Sequence, residues 1–143
     1  MSGDLNGYYF EELSVGMSAA FAKTVTEADI AAFAGVSGDF NPVHINEEFA
    51  RDTMFKGRIA HGMLSAAFIS TVFGMKMPGP GCIYVSQLLK FKAPVRIGDT
   101  VTARVEVTAT NPDKKFVTFK TTCEVGGKVV VDGEATLMVP SKG

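Results

Sequence analysis

With 143 residues, 46% of them hydrophobic, the chain suits one globular domain with a real core and is too short for two. Fourteen basic residues against fifteen acidic ones leave a net charge of -1, which excludes a chain-wide electrostatic drive toward nucleic acid or an anionic membrane. Cys82 and Cys123 are far apart, form no CxxC pair and fall in strand-like segments, where buried thiols in a reducing compartment are expected.

The first residues, Met1 to Gly7, are polar and slightly acidic, without the positive stretch and apolar run of a secretory signal, so a cytoplasmic protein is expected. A first strand is expected over Met17 to Thr24. Thr26 and Asp29 then have the spacing of a capping box, and Ile30, Phe33 and Ala34 form the stripe of a short amphipathic helix. Ser37 to His44 holds too much Gly, Asn and Pro for regular structure: Gly38 tolerates positive φ, and Pro42 keeps Asn41 out of the helical region. Asn46 is placed to cap a one- or two-turn helix from Glu47 to about Arg51.

A long helix is expected over Gly62 to Met77. Leu64, Phe68, Ile69, Val72 and Phe73, with Met63 and Met75, put apolar groups around most of its circumference, so it should be enclosed by other elements. It is shorter than the roughly 20 residues of a membrane span. Pro78 to Gly81 stop it. From Cys82 onward, alternation and β-branched residues mark strands at Ile83 to Ala93, Thr100 to Thr110, Lys115 to Val125 and Lys128 to Val139. The breaks at Pro94 to Asp99, Asn111 to Asp113 and Gly126-Gly127 are short enough to join sequential antiparallel neighbours. The pattern predicts one α+β domain over residues 1–143, an antiparallel sheet wrapped around a buried helix.

Two segments concentrate the chemistry. Asp39 and His44, both able to handle protons, share the Gly/Asn/Pro-rich loop, and His61-Gly62 opens the long helix. If Gly62 starts that helix, its N–H is one of the unpaired first-turn donors and the positive end of the helix dipole favours an anion beside it. Asn41 is placed to orient Asp39 or His44. His61 reads as a structural or supporting residue, and Ser70, taken alone, as a helix hydroxyl bonding its own backbone. Asp39, His44 and His61 nominally offer two imidazoles and a carboxylate, but their spacing matches no compact metal motif and no metal is expected.

The run Phe33 to His44, reading Phe-Ala-Gly-Val-Ser-Gly-Asp-Phe-Asn-Pro-Val-His, together with Ile59-Ala-His-Gly-Met63, closely resembles the (R)-specific enoyl-CoA hydratases of the MaoC-like hotdog family. Tyr9 to Gly16 resembles that family's opening and Phe91 to Asp99 its second strand pair, so the resemblance covers nearly the whole chain, in the form of the short, single-unit bacterial members. It implies a single hotdog fold, a homodimer, and reversible addition of water to a trans-2-enoyl-CoA to give an (R)-3-hydroxyacyl-CoA. No cofactor is implied, coenzyme A being part of the substrate. By position Asp39 and His44 match the catalytic pair, Gly62 the residue whose N–H polarises the thioester carbonyl, and Ser70 an active-site serine of the family.

Such a hydration needs a base for water, a proton for Cα and a stabiliser for the enolate-like oxygen. Asp39 is expected to be the primary base, strengthened by an apolar tunnel, while His44 orients the water and shares the proton transfer. Phe68, Val72 and Phe73 are core residues by default, with one face available to the acyl pocket, where Phe73 is placed to limit chain length. Lys56, Arg58, Lys90, Lys92 and Arg96 are the candidates for the CoA phosphates. An acyl-CoA thioesterase would direct water at the carbonyl carbon instead, and a noncatalytic acyl-CoA-binding subunit would keep the fold without turnover. The Asp39 to His44 spacing with Asn41-Pro42 favours the hydratase.

Overall fold

Alternating apolar residues build the sheet first. In a computed structural model, which describes residues 5–143, β1 (Ser18–Thr24), β2 (Ile83–Phe91), β3 (Thr100–Asn111), β4 (Phe116–Val125) and β5 (Lys128–Met138) form one antiparallel sheet in the order β1-β3-β4-β5-β2. Val101, Ala103, Val105 and Val107 of β3 and Val117, Phe119 and Cys123 of β4 are fully buried on one face, as a period of two requires. Gly126 and Gly127, at φ 57° and 81°, make the two-residue turn between β4 and β5.

The breaks do not all join sheet neighbours, contrary to the reading of the sequence. β2 pairs with β5 and not with β3, because residues 92–99 carry the chain across the fold toward the opposite edge. On the way Val95 accepts the Ala60 N–H at 2.7 Å, and Gly98 and Asp99 exchange bonds with Val25 at 2.8 Å each. The crossing thus ties the sheet to the segment that precedes the long helix.

Four helices occupy the other layer: α1 (Glu27–Ser37), α2 (Pro42–Ile45), α3 (Glu47–Arg51) and α4 (Gly62–Met75). Thr26 Oγ1 accepts from Asp29 N at 3.1 Å and Asp29 returns the bond to Thr26 N at 2.9 Å, the predicted capping box, and Gly38 ends α1 at φ 80°. The expected irregular loop holds a single helical turn, α2. Pro42 sits at its first position, where the missing N–H is harmless, and Asn41 Oδ1 accepts from Val43 N at 3.1 Å. His44 therefore rides on a capped turn.

α4 lies along the concave face of the sheet, burying Leu64, Phe68, Ile69, Val72 and Phe73 against β1, β3, β4 and β5. Its expected all-round enclosure is not met within one chain. Met63 is 55% exposed and Met75 74%, with Ala67 and Ser70 open between them on the outward face.

Candidate active site

The extended segment Arg58 to His61 organises the site. Ile59 N donates to Val43 O at 3.2 Å, so the segment runs beside α2 before its last residue becomes the N-cap of α4. Arg58 donates from Nε to His44 O at 2.7 Å and from its two terminal nitrogens to the Glu27 carboxylate at 2.9 and 3.0 Å, clamping α2 to α1. These contacts give the Asp39 and His44 loop a fixed wall.

Main-chain carbonyls set the protons on both histidines. His44 Nδ1 lies 2.8 Å from Ile59 O, which can only accept, so Nδ1 carries the hydrogen and Nε2 of the neutral ring is bare. His61 Nε2 lies 2.9 Å from Asp39 O and must likewise donate, which leaves Nδ1 bare, buried and without a partner among the described residues. The rings stack with centroids 3.8 Å apart, and Phe33 packs on His61 at 4.9 Å.

Asp39 faces the bare nitrogen of His44: Oδ2 is 4.0 Å from Nε2, too far for a direct bond and spaced for one bridging water with bonds of about 2.8 Å. Asp39 Oδ1 accepts from Asn41 N at 3.2 Å, so Asn41 serves the pair twice, steadying Asp39 through its backbone and His44 by capping α2. The apolar enclosure expected around Asp39 is not supplied by this chain. Its side chain is 50% exposed, whereas that of His44 is 11% exposed.

Gly62, the first residue of α4, lines a cavity of about 470 Å³ with His61, Ser65, Phe91, Val95 and Val131. A Cβ at Gly62 would meet the Phe91 ring at 2.7 Å, so only glycine lets that ring cover the helix entry. The cavity is walled mainly by apolar atoms, and Gly62, at the positive end of the α4 dipole, forms part of its wall. An anionic oxygen is favoured there.

Not every anticipated residue joins this cluster. Ser70 lies on the exposed face of α4, in the wall of a second cavity of about 420 Å³ that shares Phe33 and Met63 with the site's surroundings. Phe73 is 1% exposed, packed edge-on against Phe119 at 4.8 Å and Tyr84 at 5.3 Å, and lines neither large cavity. Among the phosphate candidates, Arg58 is engaged with Glu27 and His44, Arg96 donates to Phe55 O, and Lys90 stands opposite Asp132 in the β2–β5 ladder. Lys92 lines the cavity and Lys56 follows Phe55, another of its lining residues.

One donor atom from each of Asp39, His44 and His61 lies within 4.8 Å of the others. Stacked rings only 27° from parallel direct their in-plane lone pairs side by side, whereas an ion needs them to converge. Thiolate chemistry has no foothold. Burial pushes the Cys123 thiol up to about 12, and its Sγ donates to Ser65 O.

Comparison with known proteins follows the same lines. Residues 13–130 match the MaoC like domain family. The chain is 65% identical to an (R)-specific enoyl-CoA hydratase of Rhodospirillum rubrum over 140 residues, 98% of this chain and 97% of the relative. It is 46% identical to a 3-hydroxybutyryl-CoA dehydratase of Methylorubrum extorquens, covering 99% and 90% of the two chains. Among solved structures, the (R)-hydratase of Aeromonas caviae involved in PHA biosynthesis superimposes with a TM-score of 0.88 at 46% identity, over 91% of this chain and 99% of that one.

Proposed function

This chain belongs to the MaoC-like domain family, with its single hotdog fold, and on that premise we propose that it is an (R)-specific enoyl-CoA hydratase, adding water reversibly to a trans-2-enoyl-CoA. The observation that carries the mechanism is the 4.0 Å gap between Asp39 Oδ2 and the bare Nε2 of His44. Both atoms accept, so a water between them donates a hydrogen to each and is left with its lone pairs turned outward.

That water attacks Cβ of the enoyl thioester. As the C–O bond forms, the water gives one proton to the pair, with Asp39 as primary base and His44 orienting the water. The electron pair of the double bond moves toward Cα and the thioester oxygen. The Gly62 N–H holds the resulting enolate-like oxygen, a kind of contact worth about 3 kcal/mol. Protonation of Cα by the same Asp/His pair closes the cycle, so the net change is one water added. Because one pair delivers both groups, hydroxyl and proton enter from the same face.

The reading requires no metal and no cofactor, coenzyme A arriving as part of the substrate. Ser70 and Asn41 are supporting residues, Asn41 through the two contacts above and Ser70 from the second cavity. A homodimer is supported by the uncovered edge strand β2, where Ile83, Val85, Leu88 and Phe91 are 52, 47, 57 and 52% exposed, and by the open face of α4. Among the described residues no helix is long and apolar enough to cross a membrane. With two free cysteines, a cytoplasmic location fits. The (R)-3-hydroxyacyl-CoA product fits fatty-acid metabolism or polyhydroxyalkanoate supply.

The test is hydration of crotonyl-CoA and a medium-chain trans-2-enoyl-CoA by wild type, Asp39→Asn and His44→Gln, with product chirality assigned. We expect (R)-3-hydroxyacyl-CoA from wild type and a loss of at least about 100-fold in kcat for each folded variant. In D2O the deuteron should sit at Cα on the hydroxyl's face. Release of free CoA without hydration would make the protein a thioesterase, and saturable binding without turnover would make it an acyl-CoA-binding subunit.

A further inference from the structure

The two stacked histidines are tied reciprocally. His44, in the catalytic loop, donates to the carbonyl of Ile59, and His61, at the helix entry, donates back to the carbonyl of Asp39. The second bond joins the residue that carries the base to the residue immediately before Gly62. It therefore sets the distance between the acid–base pair and the oxyanion donor, the separation that must match Cβ and the thioester oxygen of one substrate.

The fold pays for this bond in a visible way. His61 is 2% exposed, and with its hydrogen on Nε2 it buries a bare Nδ1 that has no partner among the described residues. A phenylalanine would fill the same slot between Phe33 and His44 without burying a bare nitrogen, but would take the donor away from the Asp39 carbonyl. What the histidine adds is the Nε2–H donor. Resting on the hydratase reading, we infer that His61 is a positioning residue whose Nε2–H bond to the Asp39 carbonyl holds the catalytic base in register with the Gly62 N–H. It touches no reacting atom and acts through Asp39.

The experiment compares wild type, His61→Phe and His61→Gln for kcat and KM on crotonyl-CoA and for thermal stability. The Gln amide nitrogen lies where the imidazole Nε2 lies, whereas Phe keeps the ring and loses the donor. We expect His61→Phe to remain folded, with kcat lowered about 10- to 100-fold and KM within about twofold, and His61→Gln to regain most of kcat. A His61→Phe variant with wild-type kcat, or a folded His61→Gln variant that falls as far as His61→Phe, overturns the assignment. Nitrogen-detected NMR of the wild-type imidazoles tests it without turnover and without any variant: a neutral His61 protonated on Nε2 supports it and one protonated on Nδ1 overturns it. A wild type that hydrates no enoyl-CoA sinks the hydratase reading, while the NMR result still decides where His61 donates.

Discussion

Arg58 shows how a residue can be visible in the sequence and still be misread. Its charge made it a candidate for the CoA phosphates, yet its guanidinium joins Glu27, 31 positions earlier in the chain, and His44 O. The Glu27 side chain is 62% exposed, so the ion pair itself contributes little, and the part-buried bond to His44 O carries the value of the contact. Arg58→Ala is expected to cost about 1 kcal/mol in stability and to lower kcat about tenfold with KM nearly unchanged, as urea unfolding and steady-state kinetics would reveal. A raised KM at constant kcat would return Arg58 to the substrate-binding role. The shared loop of Asp39 and His44, the place of Gly62 at the start of α4 and a supporting part for His61 were legible from local chemistry and turn geometry. The bonds that Arg58 and His61 make were not, because their partners are brought near only by folding.

Elements with local signals followed the sequence closely. The capping box of α1 is one, and it has a pH consequence. The Lys23 ammonium, with the Thr26 N–H, lowers the Asp29 carboxyl below its usual value near 3.8. A folded-state value below the unfolded one gives stability that is present above about pH 4 and is lost as pH falls through the lowered folded value. Asp29→Asn should therefore reduce stability at neutral pH and flatten the decline below about pH 4, measured as the urea midpoint against pH. An unchanged acid limb would show that the cap contributes nothing through its charge. α2 was missed for a different reason. Pro42 and Asn41 signal a break when read by composition, but at the first helical position and the cap they begin a turn. The strands were found within two residues at each end, because a sheet with one buried face imposes a period of two wherever it lies.

At the scale of the whole molecule, the open surfaces lie together on β2 and α4. Asp39 is half open, and β2 presents an apolar edge beside the bare face of α4. A lysine on such an edge is a strong block to strand pairing. Val85→Lys is expected to convert a dimer into a folded monomer of 15.2 kDa by sedimentation, with hydration of enoyl-CoA lost together with the dimer. A monomeric wild type of full activity would show that the open edge serves no assembly. Local chemistry in the sequence determined the elements, the buried faces, the glycine turns, the N-terminal position of Gly62 and the presence of an Asp/His pair, since each depends on neighbours within a few positions. Only the tertiary structure decided that β2 lies beside β5, that α4 keeps an open face, and that Arg58 and His61 fasten the loop of Asp39 and His44. Those outcomes rest on contacts between residues distant in the chain, where packing and hydrogen-bond satisfaction select partners that no local pattern encodes.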